Sequence, residues 1–420
     1  MTNTRIASPL STFARWRIVI LLMSYAALGH FNREGLAIAG SDIFIDQLGL
    51  TETQMGSVYS SFLIVYTICM LPGGWLIDRL GSAKVMTLFG LTMGTVVALT
   101  GTLGWIKSTP MSLWIGLLVI RALTGACSAP LHPGAAHVAS DVMSEEHQAT
   151  ANGMRTAGAL IGIAFSYPIF SWLIKSLTWP WAFVASGSTL IVFGLLWCLV
   201  ASPSLPPPQP RVARQDRAAA RQEIGSVLRN GTLWLLTLSY AAYSYFQYLF
   251  FYWMDHYFKT VLKVPVDESR QASFYIFLAM GAGMAIGGLS TGVMCKLLGT
   301  KNGRRVVVMT GTSLAALFTL LGLNATGQGN VTVCLAISMA ALGMCEGVFW
   351  TTATDIGGKT RGFSGAFLNT GGNIGGFISP VLSPYLAETM GWPGAIKIAC
   401  GIAAFGGLVW FAIKPPEDRQ

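Results

Sequence analysis

Two arginines stand inside long apolar stretches of the sequence, where a charged side chain is costly. Arg33 follows the apolar run that begins near Trp16, and Arg121 lies in the run that begins near Ser112. If both runs are helices that cross a bilayer, Arg33 lies about 25 Å from one face and Arg121 lies roughly 14 Å from the other. An arginine at such a depth must face the protein interior or a wet cavity, and it needs an anionic partner. Two of them at a similar height predict a site for an anionic ligand.

Each arginine also has a competing interpretation as one half of a structural ion pair. The carboxylates available inside apolar runs are Glu34 and Glu346. Glu34 is expected to pair poorly with Arg33, because adjacent residues point about 100° apart around a helix. The sequence leaves the ligand site and the structural pair open for both arginines.

The composition indicates that the elements which position these arginines are membrane-spanning segments. Of the 420 residues, 53% are hydrophobic and 11% are charged, a balance that is typical of a polytopic membrane protein and not of a soluble one. The net charge of +9 comes from basic residues in short segments between the apolar runs. This distribution argues against a nucleic-acid-binding face, so the lipid bilayer is the expected macromolecular environment.

The apolar runs predict an all-α membrane protein with twelve transmembrane helices in two six-helix, pseudo-symmetric halves. The predicted spans are residues 16–40, 54–77, 84–106, 112–140, 149–175, 181–201, 230–257, 267–297, 305–325, 331–353, 361–388 and 391–414. The chain then divides into an N-terminal half at 1–201, a basic, proline-containing cytoplasmic linker at 202–229 and a C-terminal half at 230–420.

The distribution of lysine and arginine predicts the orientation of these helices. With these spans, 19 of the 27 basic residues lie on the side of the two termini and 5 lie on the opposite side. Because loops rich in lysine and arginine stay in the cytoplasm, both termini are expected to be cytoplasmic. We expect an integral multi-pass protein of the plasma membrane, which in a bacterium is the inner membrane.

A charged turn between two apolar runs occurs twice in the chain. The first copy, Gly74–Lys84, has the sequence GWLIDRLGSAK, and a shift of 218 residues carries Gly74 and Gly81 onto Gly292 and Gly299. The recurrence indicates one six-helix unit that appears twice. The first copy resembles the loop signature of the major facilitator superfamily of secondary transporters.

The same turn predicts a gate at the cytoplasmic ends of the helices. Asp78 is expected to cap or pair across the helix ends, while Arg79 and Lys84 supply positive charge beside it. Together they are expected to stabilise one closed state of two rocking halves.

Further motifs resemble the anion:cation symporter branch of that superfamily, which holds bacterial sugar-acid permeases and sialin-like transporters. The matching residues are Arg33 with Leu36 and Ala39, Tyr66 before Pro72-Gly73-Gly74, Arg121 before Gly125–Pro133, Asp355-Ile356, and Asn369–Pro380. The resemblance implies proton-coupled uptake of an organic anion by alternating access. It also implies that Arg33, Arg121 and Tyr66 line the substrate site, with Asn32, Ser128, Asn369 and Asn373 as further cavity residues.

The chain departs from this branch at positions that bear on coupling and on substrate. Asn32 and Ser128 stand where many proton-coupled bacterial members have Asp and Glu, and neither side chain can take up a proton. Met70 and Ala159 replace polar residues that are common in the sugar-acid permeases. A polyhydroxylated sugar acid is therefore a less favoured substrate than another carboxylate.

Proton coupling, if present, needs another titratable group within the membrane. The candidates are Glu346, Glu34 and His132, and Glu346 is the first to consider because desolvation favours a neutral carboxyl that can carry a proton. Each has a structural alternative, as an ion-pair partner for the carboxylates and as a packing residue for the histidine. Sodium is the other coupling ion to consider.

The seventh predicted helix is crowded with aromatic residues. The 218-residue shift carries Arg33 onto Phe251, so the second half has rings where the first has charge. Most of these rings are expected to pack in the core, but an arginine wall and an aromatic wall together suit an anion with an apolar body. Asp255, near the outer end of this helix, is expected to be a gating or interfacial charge.

No phosphate-binding loop, nucleophile elbow or metal-ligand spacing occurs in the sequence, so an enzyme, a cofactor and a metal are not expected. The favoured function is secondary active transport of an organic anion by a monomer. The alternatives are a drug or metabolite exporter, an uncoupled uniporter or exchanger, and a transporter-like sensor that binds ligand without moving it.

Overall fold

The computed structural model describes residues 11–106, 109–205, 225, 228–358 and 361–414, which are helical almost throughout and contain no strand. A π-helical turn, Gly40–Ile45, extends the first helix. Within these ranges the α-helices are α1 (Thr12–Ala39), α2 (Glu52–Leu80), α3 (Ser82–Thr102), α4 (Pro110–Ser128), α5 (Leu131–Val142), α6 (Glu145–Val200), α7 (Gly231–Thr260), α8 (Val266–Asn324), α9 (Gln328–Gly357) and α10 (Arg361–Leu408). The predicted all-α class is confirmed. Most of the predicted linker, 206–224 and 226–227, lies outside the described residues.

Three of the helices are each interrupted by one residue in a left-handed backbone conformation. These residues are Thr178 in α6 (φ 67°), Gly299 in α8 (φ 77°) and Gly391 in α10 (φ 72°). The interruptions fall at the boundaries between predicted spans. Divided there, and with α4 and α5 taken as one broken span, the described helical segments follow the twelve predicted spans.

The internal repeat is visible in the backbone. Gly81, between α2 and α3, has φ 85° and ψ 150°, and Gly299, 218 residues later, has φ 77° and ψ 158°. A β carbon is strained in this conformation, which explains a glycine at both copies of the turn. The helices repeat with the same offset, since α4 begins at Pro110 and α9 begins at Gln328, also 218 residues apart.

Seven segments of the described chain are long and apolar enough to cross a membrane: Thr12–Ile45, Ser82–Trp105, Pro110–Val142, Thr150–Ser204, Val266–Asn324, Gln328–Gly357 and Phe363–Phe411. Helices α2 and α7 are not among them. Much of α7 is buried and rich in tyrosine and tryptophan, so its surface faces protein more than lipid. Less apolar helices are expected in the interior of a membrane bundle, where polar groups find partners.

The chain forms two compact units. Unit 1 comprises Met1–Ala39 and Val65–Val212, and unit 2 comprises Gly40–Ile64 and Ala213–Gln420. The end of the first span and the beginning of α2 therefore belong to unit 2. The sequence divides the halves near residue 201 and does not anticipate this exchange.

Glycine contacts bring helix backbones together in unit 1. A β carbon added at Gly162 of α6 would lie 2.1 Å from the carbonyl oxygen of Ala27 in α1. One added at Gly94 of α3 would lie 2.6 Å from the carbonyl oxygen of Gly187 in α6. Such approaches are typical of membrane helices, which associate through close packing of small residues.

Unit 2 is packed in the same way. A β carbon at Gly375 of α10 would lie 2.0 Å from the carbonyl oxygen of Ala241 in α7, and one at Gly283 of α8 would lie 2.0 Å from that of Ala340 in α9. Both glycines belong to glycine-rich segments, Gly281–Gly283 and Gly371–Gly376, and such a composition permits the close helix approach that is observed.

A buried ion cluster ties residues 40–64 to the rest of unit 2. Asp42 accepts a hydrogen bond from Arg270 at 2.7 Å and pairs with Lys259, and Asp255 pairs with Lys259 at 2.8 Å and with Arg270. Two carboxylates thus balance two cations, and Arg270 is only 3% exposed. Asp255 is an ion-pair residue that joins α7, α8 and the π-helical turn after α1.

Beside this cluster, Glu52 at the start of α2 approaches His256 of α7, with 2.7 Å between Oε1 and Nε2. The other ring nitrogen of His256 lies 2.9 Å from the Ser41 hydroxyl. These contacts extend the polar attachment of residues 40–64 along α7.

Replacement of Arg270 by methionine is expected to destabilise the protein strongly. Asp255 would stay buried and Asp42 partly buried with one cation fewer, and breaking a buried pair in this way costs about 3–5 kcal/mol. The apparent melting temperature of the detergent-solubilised protein checks this. Lys296→Met removes the same charge from an exposed position of the same helix and should change it little. Equal melting temperatures for the two variants would contradict the structural role of the cluster.

Candidate functional site

The two arginines of the anion-site prediction meet in unit 1. Arg121 of α4 donates a hydrogen bond from Nη1 to the backbone carbonyl oxygen of Arg33 in α1, at 2.9 Å. Arg121 is 3% exposed, and the side chain of Arg33 is 13% exposed. Their predicted closeness in height is confirmed, and the contact joins α1 to α4 at that level.

Glu34 does pair with its neighbour, against expectation. Its Oε1 lies 3.9 Å from Nε of Arg33, and its side chain is 1% exposed. The expectation from helix geometry was wrong because a long arginine side chain can fold back across the angle between adjacent residues. At 3.9 Å the pair is too long for a hydrogen bond, so it supplies charge compensation without fixing the orientation of either group. Arg121 also interacts electrostatically with this carboxyl.

A small cavity of about 10 Å³ opens beside Arg121. Its polar lining is Arg121, Asn32, Thr100 and Thr124, and its apolar lining is Leu36, Val97, Leu117, Ile120 and Phe183. That volume is about what one water molecule requires, and a small-molecule site is far larger. The cavity is therefore a polar recess next to the arginine and not a complete substrate site.

Asn32 and Ser128, which replace the usual carboxylates, differ in where their side chains lie. Asn32 lines the cavity and donates to the backbone oxygen of Leu28 at 2.9 Å. Ser128 donates to the backbone oxygen of Thr124 at 2.7 Å and lies 3.3 Å from the sulfur of Met93. Ser128 is therefore turned into helix packing and is not among the residues that line the cavity.

A second polar group in unit 1 joins three helices. Nη1 of Arg155, on α6, contacts Nδ1 of His132, on α5. The Nε2 atom of His132 lies 3.3 Å from Nε2 of His30, on α1. Tyr66 of α2 is buried and within electrostatic reach of Arg155. The predicted residues His132 and Tyr66 are thus brought near an arginine that the sequence counts only as a basic residue of the cytoplasmic side.

Neither His30 nor Arg155 is distinguished by the sequence pattern. Arg155 lies about two turns from the predicted start of its helix, where a basic residue is ordinary for the positive-inside rule. The one usable signal is the spacing of His30 and Arg33, which are three residues apart and so share a face of α1. The pairing with His132 depends on the packing of α1, α5 and α6, which no local pattern encodes.

In unit 2, Glu346 is held by neutral donors. Its Oε1 accepts hydrogen bonds from the Tyr240 hydroxyl at 2.9 Å and from the Trp350 indole nitrogen at 2.8 Å. Its Oε2 is buried and has no hydrogen-bond partner among the described residues. No ion pair to Glu346 occurs in the described part of the chain, so the alternative of an arginine partner finds no support there.

The aromatic residues of α7 are mostly buried, as their interpretation as core residues predicts. Tyr240 stacks on Tyr243 with ring centroids 5.5 Å apart, and Tyr252 stacks on Tyr59 of α2 at 4.5 Å. Trp253 donates to the backbone oxygen of Pro380 at 3.1 Å. These contacts join α7 to α2 and α10 within unit 2.

Asn369 and Asn373 lie one turn apart on α10 and so share a face of that helix. Asn373 is buried and Asn369 is half-buried. Asn373 therefore belongs to the interior of unit 2 and Asn369 to its edge, and their role as cavity residues stays a prediction.

The predicted gate residues lie at the turn between α2 and α3. Arg79 is exposed, with its guanidinium 5.2 Å from the ring centroid of Trp75, and Lys84 is exposed in the first turn of α3. The side chain of Asp78 lies outside the described residues. No group of three or more potential metal ligands occurs among the residues searched.

Comparison with known proteins gives relatives that span almost the whole chain. A D-galactonate transporter of Escherichia coli is 24% identical over 96% of this chain and 96% of its own. A probable sulfoacetate transporter of Cupriavidus necator is 25% identical, covering 94% of this chain and 93% of its own. A hexuronate transporter of Bacillus subtilis is 26% identical, covering 93% of this chain and 92% of its own.

A solved structure has the same fold. A bacterial homologue of the human lysosomal transporter Spinster, in an inward-facing and unoccupied conformation, aligns with a TM-score of 0.76, 14% identity and coverage of 96% of this chain and 98% of that chain. The model of the Major Facilitator Superfamily matches residues 21–302 and 296–420. The chain is therefore an integral multi-pass membrane transporter and not an enzyme, and it belongs to the major facilitator superfamily.

Proposed function

We propose that the protein is a secondary active transporter that moves an organic anion with a carboxylate group by alternating access. The observation that carries this proposal is the contact of Arg121, which is buried, with Arg33, whose side chain is 13% exposed, at a level where the carboxyl of Glu34 interacts with both. A low-dielectric interior makes an excess of positive charge costly, and an anionic ligand relieves that cost. Arg33, Arg121 and Tyr66 are the proposed substrate residues of unit 1.

The named substrates of the relatives agree with this chemistry. Galactonate, sulfoacetate and hexuronate are all organic acids that are anionic at neutral pH, and they are carried by proteins similar to this chain over most of its length. The substitutions Met70 and Ala159 and the ring-rich α7 favour a carboxylate with a smaller hydroxyl content and a more apolar body. Asn32, Asn369 and Asn373 supply amide groups for its polar atoms, and Ser128 is the weakest of the proposed cavity residues because its hydroxyl is occupied.

For orientation and assembly we propose a monomer in the inner membrane with both termini in the cytoplasm. The support is the excess of lysine and arginine on the side of the termini. Residues 1–201 and 230–420 are the proposed rocking halves, joined by a linker at 202–229.

Proton coupling, in this proposal, runs through Glu346, with Glu34 and His132 as the further candidates. The Tyr240 hydroxyl and the Trp350 indole both donate to Oε1, so a proton can occupy Oε2 without breaking either of these hydrogen bonds. Such a carboxyl is able to change protonation state within a fixed framework. Glu34 keeps the alternative role of an ion-pair partner, because its carboxyl lies 3.9 Å from the guanidinium of Arg33.

Loss of either arginine is expected to abolish or greatly weaken substrate binding. A charge-assisted hydrogen bond in a buried site contributes about 2–3 kcal/mol, so Arg33→Ala and Arg121→Ala should each weaken binding roughly 30- to 150-fold. Titration calorimetry on purified protein with D-galactonate, sulfoacetate and phenylacetate measures this.

Two further variants separate binding from folding. Arg121→Lys keeps the charge, should preserve more affinity than alanine and tests whether charge alone suffices. Lys397→Ala removes an exposed cation from α10 and should leave affinity unchanged. Wild-type affinity in a folded Arg33→Ala or Arg121→Ala protein would reject that arginine as a substrate residue.

Neutralising Glu346 is expected to abolish substrate accumulation while leaving substrate exchange intact. A Glu346→Gln protein in proteoliposomes should still exchange labelled substrate across the membrane but should not accumulate it under an imposed pH gradient. Glu268→Gln, at an exposed position of α8, is the control and should accumulate substrate normally. Normal accumulation by Glu346→Gln would remove Glu346 as the carrier. A wild type that ignores the pH gradient would indicate a uniporter, an exchanger or sodium coupling.

The gate proposed for Asp78, Arg79 and Lys84 predicts a different defect. Asp78→Asn should slow transport much more than it weakens equilibrium binding, because the residue acts on a conformational step and not on the ligand. Uptake rates and calorimetric affinities of the same preparation provide the comparison, with Asp46→Asn as an exposed control. A parallel loss of uptake and affinity would place Asp78 in the binding step.

The same two measurements on the wild type test the alternative of a transporter-like sensor. Saturable binding without uptake by the wild type would identify a sensor.

A further inference from the structure

The contact between Arg155 and His132 determines where the protons of two imidazoles lie. A guanidinium can only donate hydrogen bonds, so Nδ1 of His132 must accept and cannot carry a proton. A neutral imidazole then carries its proton on Nε2. His132 is thereby fixed in one tautomer by its neighbour on α6.

The tautomer of His132 in turn determines the tautomer of His30. The Nε2–H group of His132 points to Nε2 of His30 at 3.3 Å, so that nitrogen of His30 accepts. The proton of His30 must then reside on Nδ1. While both contacts persist, neither ring can take up a second proton, because Nδ1 of His132 and Nε2 of His30 both act as acceptors. His132 can therefore take part in proton coupling only in a state in which its contact with Arg155 is broken.

This series of hydrogen bonds ends at the Nδ1–H group of His30. Nδ1 of His30 is buried and has no hydrogen-bond partner among the described residues. A buried N–H group without an acceptor costs free energy, and such groups are uncommon in native structures unless they have a function. His30 lies three residues before Arg33 on the same face of α1, and both Arg33 and Arg155 interact with it electrostatically.

We propose that His30 is a third ligand-binding group for the anion, donating from Nδ1–H to an oxygen of the carboxylate or sulfonate that Arg33 and Arg121 hold. This inference rests on the proposed function. His132 and Arg155 are positioning residues, which act by fixing the tautomer of His30 so that it offers a donor and not a lone pair. A lone pair facing the anion would repel it, so the tautomer decides the sign of the interaction.

Substitution of His30 by asparagine or by glutamine tests the roles of its two ring nitrogens separately. The amide of asparagine ends near the position of Nδ1, and the amide of glutamine ends near that of Nε2. His30→Asn can keep a donor toward the anion and should retain affinity within roughly threefold. His30→Gln keeps only the contact to His132 and should lose roughly ten- to hundredfold, the effect of removing one hydrogen bond to a charged group.

Calorimetry with the D-galactonate, sulfoacetate and phenylacetate panel compares both variants with the wild type, and a melting curve without ligand verifies folding. Arg155→Met leaves Arg33 and Arg121 in place but releases the tautomer, and it should weaken binding by a smaller factor than His30→Gln. A folded His30→Gln protein that binds as tightly as wild type overturns the proposal. So does a His30→Asn protein that is folded but as weak as His30→Gln.

A second measurement needs no ligand and so separates this inference from the proposed function. In protein labelled with ¹⁵N-histidine, assigned by single substitutions among the five histidines, His30 should show a protonated Nδ1 and an unprotonated Nε2, and His132 the reverse. Arg155→Met should abolish this pattern. The opposite tautomers, or doubly protonated rings, overturn the inference even if anions bind. If the tautomers are as expected but no acid in the panel binds to the wild type, both the proposed function and the ligand role of His30 are rejected.

Discussion

The structure depends on the cost of keeping arginine inside an apolar bundle. Arg33 and Arg121 cannot be hydrated by lipid, so the protein must provide their acceptors, which include a backbone carbonyl oxygen and the carboxyl of Glu34. Using the carbonyl of Arg33 as acceptor fixes α1 against α4. The loose 3.9 Å pair with Glu34 offsets charge while leaving the guanidinium directions to the rest of the site.

Close helix packing makes such placement possible. At Gly162 and Gly375 the neighbouring backbone carbonyl lies where any side chain would stand, so α1 meets α6 and α7 meets α10 at backbone distance. This arrangement fixes the height and rotation of the helices that carry Arg33, Arg155 and Tyr240. Where charges themselves make the attachment, as with Asp42, Asp255, Lys259 and Arg270, they are balanced two against two.

The two repeats show how one backbone supports two kinds of interior. Their turns share the left-handed glycines Gly81 and Gly299, but the polar interior of unit 1 is rich in arginine and histidine while that of unit 2 combines Glu346 with tyrosine and tryptophan. The two copies share the glycines that the backbone geometry of the turn requires. Their interior side chains differ, because the backbone of the fold does not prescribe them.

The sequence by itself determined the fold class, the helical spans and the repeat, because these depend on local quantities: the length of apolar runs, glycine at turns and the spacing of identical residues. It also identified Arg33, Arg121 and Glu346, since an isolated charge in an apolar run is conspicuous without any structure. The described helices follow the twelve predicted spans once Thr178, Gly299 and Gly391 are recognised as breaks within continuous helices and α4 and α5 are taken as one span.

Only the tertiary structure decided which of these residues meet. The pairing of Arg155 with His132 and His30, the tyrosine and tryptophan partners of Glu346, and the attachment of residues 40–64 to unit 2 all join segments far apart in the chain. Glu34 illustrates the limit most simply, because helix geometry predicts the direction of a Cβ but not the course of a flexible arginine side chain beyond it. Contacts of that kind are set by the rotation and depth of packed helices, which depend on many small residues at once and on no single motif.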